Sequence, residues 1–264
     1  FFSQKKVSLL FILTGWLACT GLVHANLSEN NAQKSKPITT PQNIYEYRLA
    51  NGLRVIFKQD QRAPVIVHMV WYRAGGLDEF NGTTGVAHML EHMMFKSSKN
   101  YPSGEYVKIV ERCGAKYNAT TSYDRTNYYQ TVDKKHLEQM MKLEADRMVN
   151  LRMDEKEALS ERKVVIEERL MTTDNLPQRR LSEMVIAHYY LHHPYRFPVI
   201  GWKHEMETYT YKDALSFYKK FYSPSNAIIV LSGDITVEEA KTLTQKYYGS
   251  IPATQVQEKK FLQE

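Results

Sequence analysis

The eleven residues from Gly85 to Phe95, Gly-Val-Ala-His-Met-Leu-Glu-His-Met-Met-Phe, constrain the fold of this chain more than any other stretch. They contain His-x-x-Glu-His within an apolar run that reads as an amphipathic helix. Residues four apart lie on one helix face a turn above each other, so His88 and His92 can point at a single metal ion. Glu91 is rotated roughly 60° from His88 on the helical wheel, beside the ion without having to bind it. The order inverts His-Glu-x-x-His but serves the same chemistry: two imidazoles hold zinc and a carboxylate takes a proton from water. Two helical histidines four apart also occur as surface or core residues. The fold must therefore deliver a third ligand for the metal reading to hold.

The 264 residues suffice for one large or two small domains with a core of their own. Hydrophobic residues at 43% and charged residues at 24% are ordinary globular values, which excludes a disordered or fibrous class. The formal charge is +6, but Lys5 and Lys6 stand in the first 25 positions, so a chain cut after Ala25 carries 33 basic against 29 acidic residues. These charges are interspersed, as on a mixed solvated surface, and no nucleic-acid partner is expected. Lys5 and Lys6, the apolar run from Val7 to Val23 and the small residues near Ala25 read as a cleaved secretion signal over 1–25. A retained membrane anchor is the alternative, but Thr14, Gly15, Thr20 and Gly21 dilute that run and it is short for a span, so no membrane contact is expected after cleavage. Removing Cys19 with the signal leaves Cys113 alone, without an intramolecular disulfide or a Cys-rich metal site.

Residues 26–43 lack apolar periodicity and read as a flexible lead-in. Ile44 to Leu49 and Leu53 to Gln59 alternate as strands about an Asn51-Gly52 hairpin turn, and Pro64 to Tyr72 forms a third strand leading to the motif helix. Ser103 is placed to cap a helix that stops at Gly114, followed by a hairpin of Lys116 to Tyr123 and Thr126 to Val132. Asp133 opens a long helix whose Met140, Met141 and Met148 fall at core spacing. A capping-box-like Asp154 to Glu157 starts a helix running to about Met171. Thr210 with Asp213 and Thr236 with Glu239 start two more, around a strand from Ala227 to Leu231, and Gly249 closes the last. Without regular βαβ alternation this order predicts an α+β fold, a mostly antiparallel mixed sheet with helices packed on one face.

Glu161 and Glu168, seven apart, share a helix face, and Glu167 points elsewhere. Composition alone does not rank these three as a third ligand. The other histidines are weaker candidates: His192 and His193 are adjacent, His68 lies within a strand, and His188 and His204 are isolated.

Gly85 to Lys96, followed by Glu161-Arg-Lys-Val-Val-Ile-Glu-Glu-Arg169, resembles the pitrilysin family of inverzincins, which includes insulin-degrading enzyme and the mitochondrial processing peptidases. The likeness extends to Asn118-Ala119-Thr120-Thr121 with Asp124 and Thr126, to His193 through Gly201, and to Tyr222 through Asp234, covering about Ile44 to Pro252. It implies Glu168, 76 residues beyond His92 (168 − 92), as the third ligand of one Zn²⁺ per chain, with Glu161 supporting the ligands and Glu91 as general base. It also implies that Asn118, Ala119 and Thr120 lie on a strand to which a peptide substrate adds. The expected activity is that of a zinc metalloendopeptidase acting on peptides or small unfolded proteins; the alternative is a non-catalytic homologue serving as scaffold or partner subunit.

Family members have two similar halves, the second supplying an Arg and a Tyr near the substrate. The chain resembles the N-terminal catalytic half, over 44–255, with 256–264 as the start of a linker. The other half, or a separate partner chain, is expected to complete the enzyme. The signal and the likeness to bacterial members place it in the periplasm of a Gram-negative bacterium.

Overall fold

The computed structural model describes residues 43–256. The expected signal, nearly all of the lead-in and all but the first residue of the linker lie outside them. A six-stranded mixed sheet organises the described residues, in the order β1-β2-β8-β3-β6-β5. Its strands are β1 (Ile44–Arg48), β2 (Arg54–Gln59), β3 (Val65–Tyr72), β5 (Lys116–Thr121), β6 (Thr126–Asp133) and β8 (Ala227–Gly233), while β4 (Ser97–Ser98) and β7 (Leu151–Arg152) form a small separate ladder. All neighbours in the large sheet are antiparallel except β2 and β8. The α+β expectation stands.

Alternation explains the layering. In β3, Ile66, His68, Val70 and Tyr72 are buried and the residues between them only partly so. Val55 and Phe57 of β2 and Ile229 and Leu231 of β8 join them in one core. The helices are α1 (Val86–Met93), α2 (Glu105–Arg112), α3 (Leu137–Asn150), α4 (Glu155–Arg169), α5 (Pro177–Tyr189), the single turn α6 (Lys203–Met206), α7 (Tyr211–Phe221) and α8 (Val237–Tyr248). Met140, Met141 and Met148 of α3 are buried, as their spacing predicts. His68 is a core residue, hydrogen-bonded to Gln130 and the Tyr248 hydroxyl.

Some local expectations are corrected. Gly104, not Ser103, caps α2, in a left-handed conformation at φ 80° that replaces a side-chain cap. Asp133 caps a 3₁₀ turn over Lys134–His136, and α3 begins only after it. The long fourth helix is α-helical to Arg169 and continues as a π turn over Leu170–Asp174. Gly249 ends α8 in a right-handed conformation. The capping boxes at Thr210/Asp213 and Thr236/Glu239 form as predicted. Helix α5, which opens with Pro177 in its first turn, is a further element that the sequence pattern does not predict.

Candidate metal centre

Two helices and one edge strand meet at the site. Strand β3 and a 3₁₀ turn at Gly76–Asp78 deliver the chain to α1, which packs against β5, α4 and α7. Val86, Ala87, Met89, Leu90 and Met93 are buried and anchor α1 in the core, leaving His88, Glu91 and His92 together on its remaining face. From α4, Glu161 and Glu168 reach the same place two turns apart.

The donor atoms converge. His88 Nε2 lies 3.8 Å and His92 Nε2 3.4 Å from Glu168 Oε2. One ligand atom from each of the three residues lies within 4.8 Å of the other two. Tetrahedral zinc with ligands at about 2.1 Å requires ligand–ligand edges of about 3.4 Å, so two nitrogens and a carboxylate oxygen at these separations fit the ion. Glu161 Oε1 accepts a hydrogen bond from His92 Nδ1 at 2.9 Å, which points Nε2 toward Glu168. Lys96 Nζ pairs with the other Glu161 oxygen at 2.5 Å. Glu167, on the same helix, has no contact with the cluster among those the structure gives for it. The geometry thus separates the three glutamates that composition left level.

Electrostatics follow from this crowding. Burial, reinforced by the neighbouring His92, pushes His88 down to about 4 against the pull of Glu168. Burial opposes the charge on His92 too, but its bonds to Glu161 and Glu168 outweigh it and raise the imidazole to about 9. In Glu168 the His92 bond, and in Glu161 the His92 and Lys96 bonds against burial, hold the carboxyls below their usual range. Glu91 moves the other way, raised by burial although Thr121 opposes the shift. One group poised to take a proton thus stands beside two carboxylates kept ionised.

Strand β5 forms one edge of the sheet. Asn118 and Thr120 are exposed on it, Ala119 is buried, and all three pair with β6 on the inner side. Thr121, at the end of the same strand, donates its hydroxyl to Glu91 Oε2 at 2.5 Å. This contact, the Lys96 pair and the buried Glu79 beneath α1 were not singled out from sequence. Thr121 and Lys96 lie inside the stretches that carry the family likeness, whereas Glu79 has no motif spacing to mark it. His188 is bonded to a carbonyl of its own helix and His193 caps a 3₁₀ turn, so neither joins the cluster.

Residues 54–202 match the family model described as Insulinase (Peptidase family M16), and residues 208–264 match that of the Peptidase M16 inactive domain. The chain is 38% identical over 204 residues to the zinc protease PqqE of Helicobacter pylori, covering 77% of this chain and 46% of that protein. Its fold is similar to the crystal structure of a protease from Helicobacter pylori, at TM-score 0.77 and 37% identity over 81% of this chain and 52% of that one. It is also similar to the periplasmic protease PqqL from Escherichia coli, at TM-score 0.78 and 25% identity over 83% of this chain and 25% of that one. The chain thus spans about half the length, or less, of the relatives it matches.

Proposed function

Because this chain belongs to the insulinase family of peptidases, M16, we propose that it is the metal-binding half of a zinc-dependent endopeptidase that hydrolyses peptides or small unfolded proteins. One observation carries the proposal: His88 Nε2, His92 Nε2 and Glu168 Oε2 converge beside a half-buried carboxylate, Glu91, that is not needed as a ligand. In this reading His88, His92 and Glu168 hold one Zn²⁺. When bound, the ion supplies a charge that polarises the scissile carbonyl and acidifies water.

The remaining work falls to side chains and backbone. Glu91 takes the proton of the attacking water and later passes it to the leaving amine, and its raised pKa suits both transfers. Thr121 fixes the carboxylate by donating to it. An extended peptide adds along the open edge of β5, where Asn118 and Thr120 are exposed. Glu161 and Lys96 keep His92 in its donor orientation. A second peptidase half, in the same protein or in a partner chain, closes over this edge and supplies the rest of the substrate contacts. A periplasmic location agrees with the apolar N-terminal run and with the description of Escherichia coli PqqL as periplasmic. No described helix is long and apolar enough to cross a membrane.

A second reading, a non-catalytic scaffold or partner subunit, draws on the match of residues 208–264 to the inactive-domain family. That segment contains none of the four site residues, all of which are present upstream. The test is hydrolysis of an unstructured fluorogenic peptide by the zinc-loaded chain, with the second half supplied when needed. Glu91→Gln should keep its zinc and lose about 10²–10⁴ in rate, the range expected for a general base. Undiminished cleavage by that variant would remove Glu91 from the mechanism; a zinc-replete, complete assembly without cleavage would favour the scaffold.

A further inference from the structure

Helix α1 has eight residues, about 12 Å of helix, which is too short to be stable by itself. Its end groups need partners, and two buried side chains supply them. Glu79 Oε2 accepts from the Gly85 N–H at 2.8 Å and its Oε1 from the Ala87 N–H at 2.7 Å. At the other end Arg147 donates through a terminal guanidinium nitrogen to the Met94 carbonyl at 3.3 Å. Glu79 is 6% exposed and Arg147 2%. A cation at the C-terminus is the sense that the helix dipole favours.

Both clamps are themselves immobilised. Arg147 pairs with Glu144 through Nε at 2.8 Å, and its guanidinium lies over the rings of Phe95, Tyr106 and Tyr128 at 5.0, 4.6 and 4.4 Å. Glu144 accepts in turn from Gln130 and the Tyr106 hydroxyl. At the N-terminal end, Gly85 at φ 86° abuts the backbone of Ile200 and Gly201, where an added Cβ would lie 2.4 Å from the Ile200 carbonyl oxygen. Burial raises the Glu79 carboxyl to about 8 while its two backbone bonds oppose the shift. Helix stability alone would be served as well by an ordinary Ser or Asp cap at the surface.

We infer that Glu79 and Arg147 are positioning residues of the metal centre, holding α1 by its two ends and so fixing the height and rotation of His88, Glu91 and His92. The inference rests on the reading of His88, His92 and Glu168 as a zinc site. A slip of one residue would turn the histidines by about 100° and carry both out of reach of Glu168. Gripping the N–H groups of both Gly85 and Ala87 resists rotation, and gripping both ends resists translation.

The test uses the full chain and the metals alone. Zinc affinity is measured by chelator competition, the site geometry by the visible spectrum of the Co²⁺ form, and folding by melting with and without zinc. In Glu79→Gln an amide N–H₂ replaces one acceptor and faces a backbone N–H. This variant and Arg147→Lys should each weaken zinc binding by roughly tenfold, the lower bound for groups that orient ligands, and change the Co²⁺ bands. The rise in melting temperature on adding zinc should shrink accordingly. Thr236→Ala is the control: Thr236 caps α8, which packs against α3 and β2 rather than α1, so its loss should lower the melting temperature and leave zinc affinity unchanged. If Glu79→Gln fails to fold, Glu79→Asp and Arg147→Lys carry the same measurements. Folded variants with native zinc affinity and native Co²⁺ spectra would reduce the two clamps to ordinary structural residues. A native chain that binds no zinc would instead overturn the metal reading itself.

Discussion

The two helices that bring metal-ligand candidates together are held very differently. Helix α1 has five of its eight residues buried and a buried side chain bonded to its backbone at each end. Glu168 sits near the last turn of α4, partly exposed, and is followed by the π turn at Leu170–Asp174 and by α5, none of whose residues is buried. The histidine pair is therefore mounted on a helix anchored in the core, while the carboxylate comes from the border between the core and an uncovered helix. What ties that border down is Arg169, adjacent to Glu168. Its guanidinium donates to the Gly201 carbonyl at 2.7 Å and to both oxygens of Glu183 on α5, and it pairs with Asp174 at 3.1 Å. Gly201 abuts Gly85, so the third candidate ligand is referenced to the start of α1 through a single loop. Rigidity in this site is unequal by construction, and each side of it can be broken separately.

The largest effect should come from the rigid side. His88→Ala and His92→Ala remove a preset donor and should each cost on the order of 100-fold or more in zinc affinity, given the free energy that four ligands share in such sites. Glu168→Gln should cost less, because its position is the more adjustable one and water can replace it. Equal losses for all three would abolish the distinction drawn between the two helices. Next comes Arg169→Met, which leaves Glu183 and Asp174 without their cation and should lower stability by about 3–5 kcal/mol. Zinc affinity in Arg169→Met should fall while the histidines keep their geometry, a separation that Co²⁺ spectra and denaturant unfolding can make together. Glu161→Gln should weaken zinc binding by about tenfold with little loss of fold, since an amide can still accept from His92 Nδ1.

The inequality also explains what could be read from the sequence. The strands and the buried face of α3 obey simple periods, so alternation at Val55 and Phe57 or helical spacing at Met140, Met141 and Met148 translated directly into burial. The histidine pair is likewise local, because four residues on a helix fix their relation. Glu161, Glu167 and Glu168 were level on composition because their ranking depends on how α4 crosses α1, a tertiary fact; the family likeness supplied what periodicity could not. Glu79 and Arg147 were illegible for the same reason. Each acts on a backbone group rather than on a side chain, and Arg147 lies 53 residues in sequence from the Met94 carbonyl it meets. Helix α2 shows the smaller kind of failure: Ser103 has the right chemistry for a cap, but the left-handed Gly104 turns the chain one residue later.

Helix α5 offers the mildest perturbation and the sharpest contrast with α3. Both carry apolar residues at helical spacing, yet Met140 and Met141 are sealed in the core while Leu181, Met184 and Val185 are 62%, 56% and 56% exposed. An apolar face therefore reveals that something is to be covered but not by what. Replacing Leu181, Met184 and Val185 together with Ser should change the stability of this chain alone by no more than about 0.5 kcal/mol per site, because all three side chains are more than half exposed. If the second peptidase half covers this face, the same triple variant should bind that half more weakly, as read by size-exclusion or calorimetry of the two separate chains. A large loss of stability in the isolated chain would mean that α5 already packs against this half, and unchanged assembly would move the interface elsewhere. Either way the measurement separates a helix that holds the fold from one that waits for the rest of the enzyme.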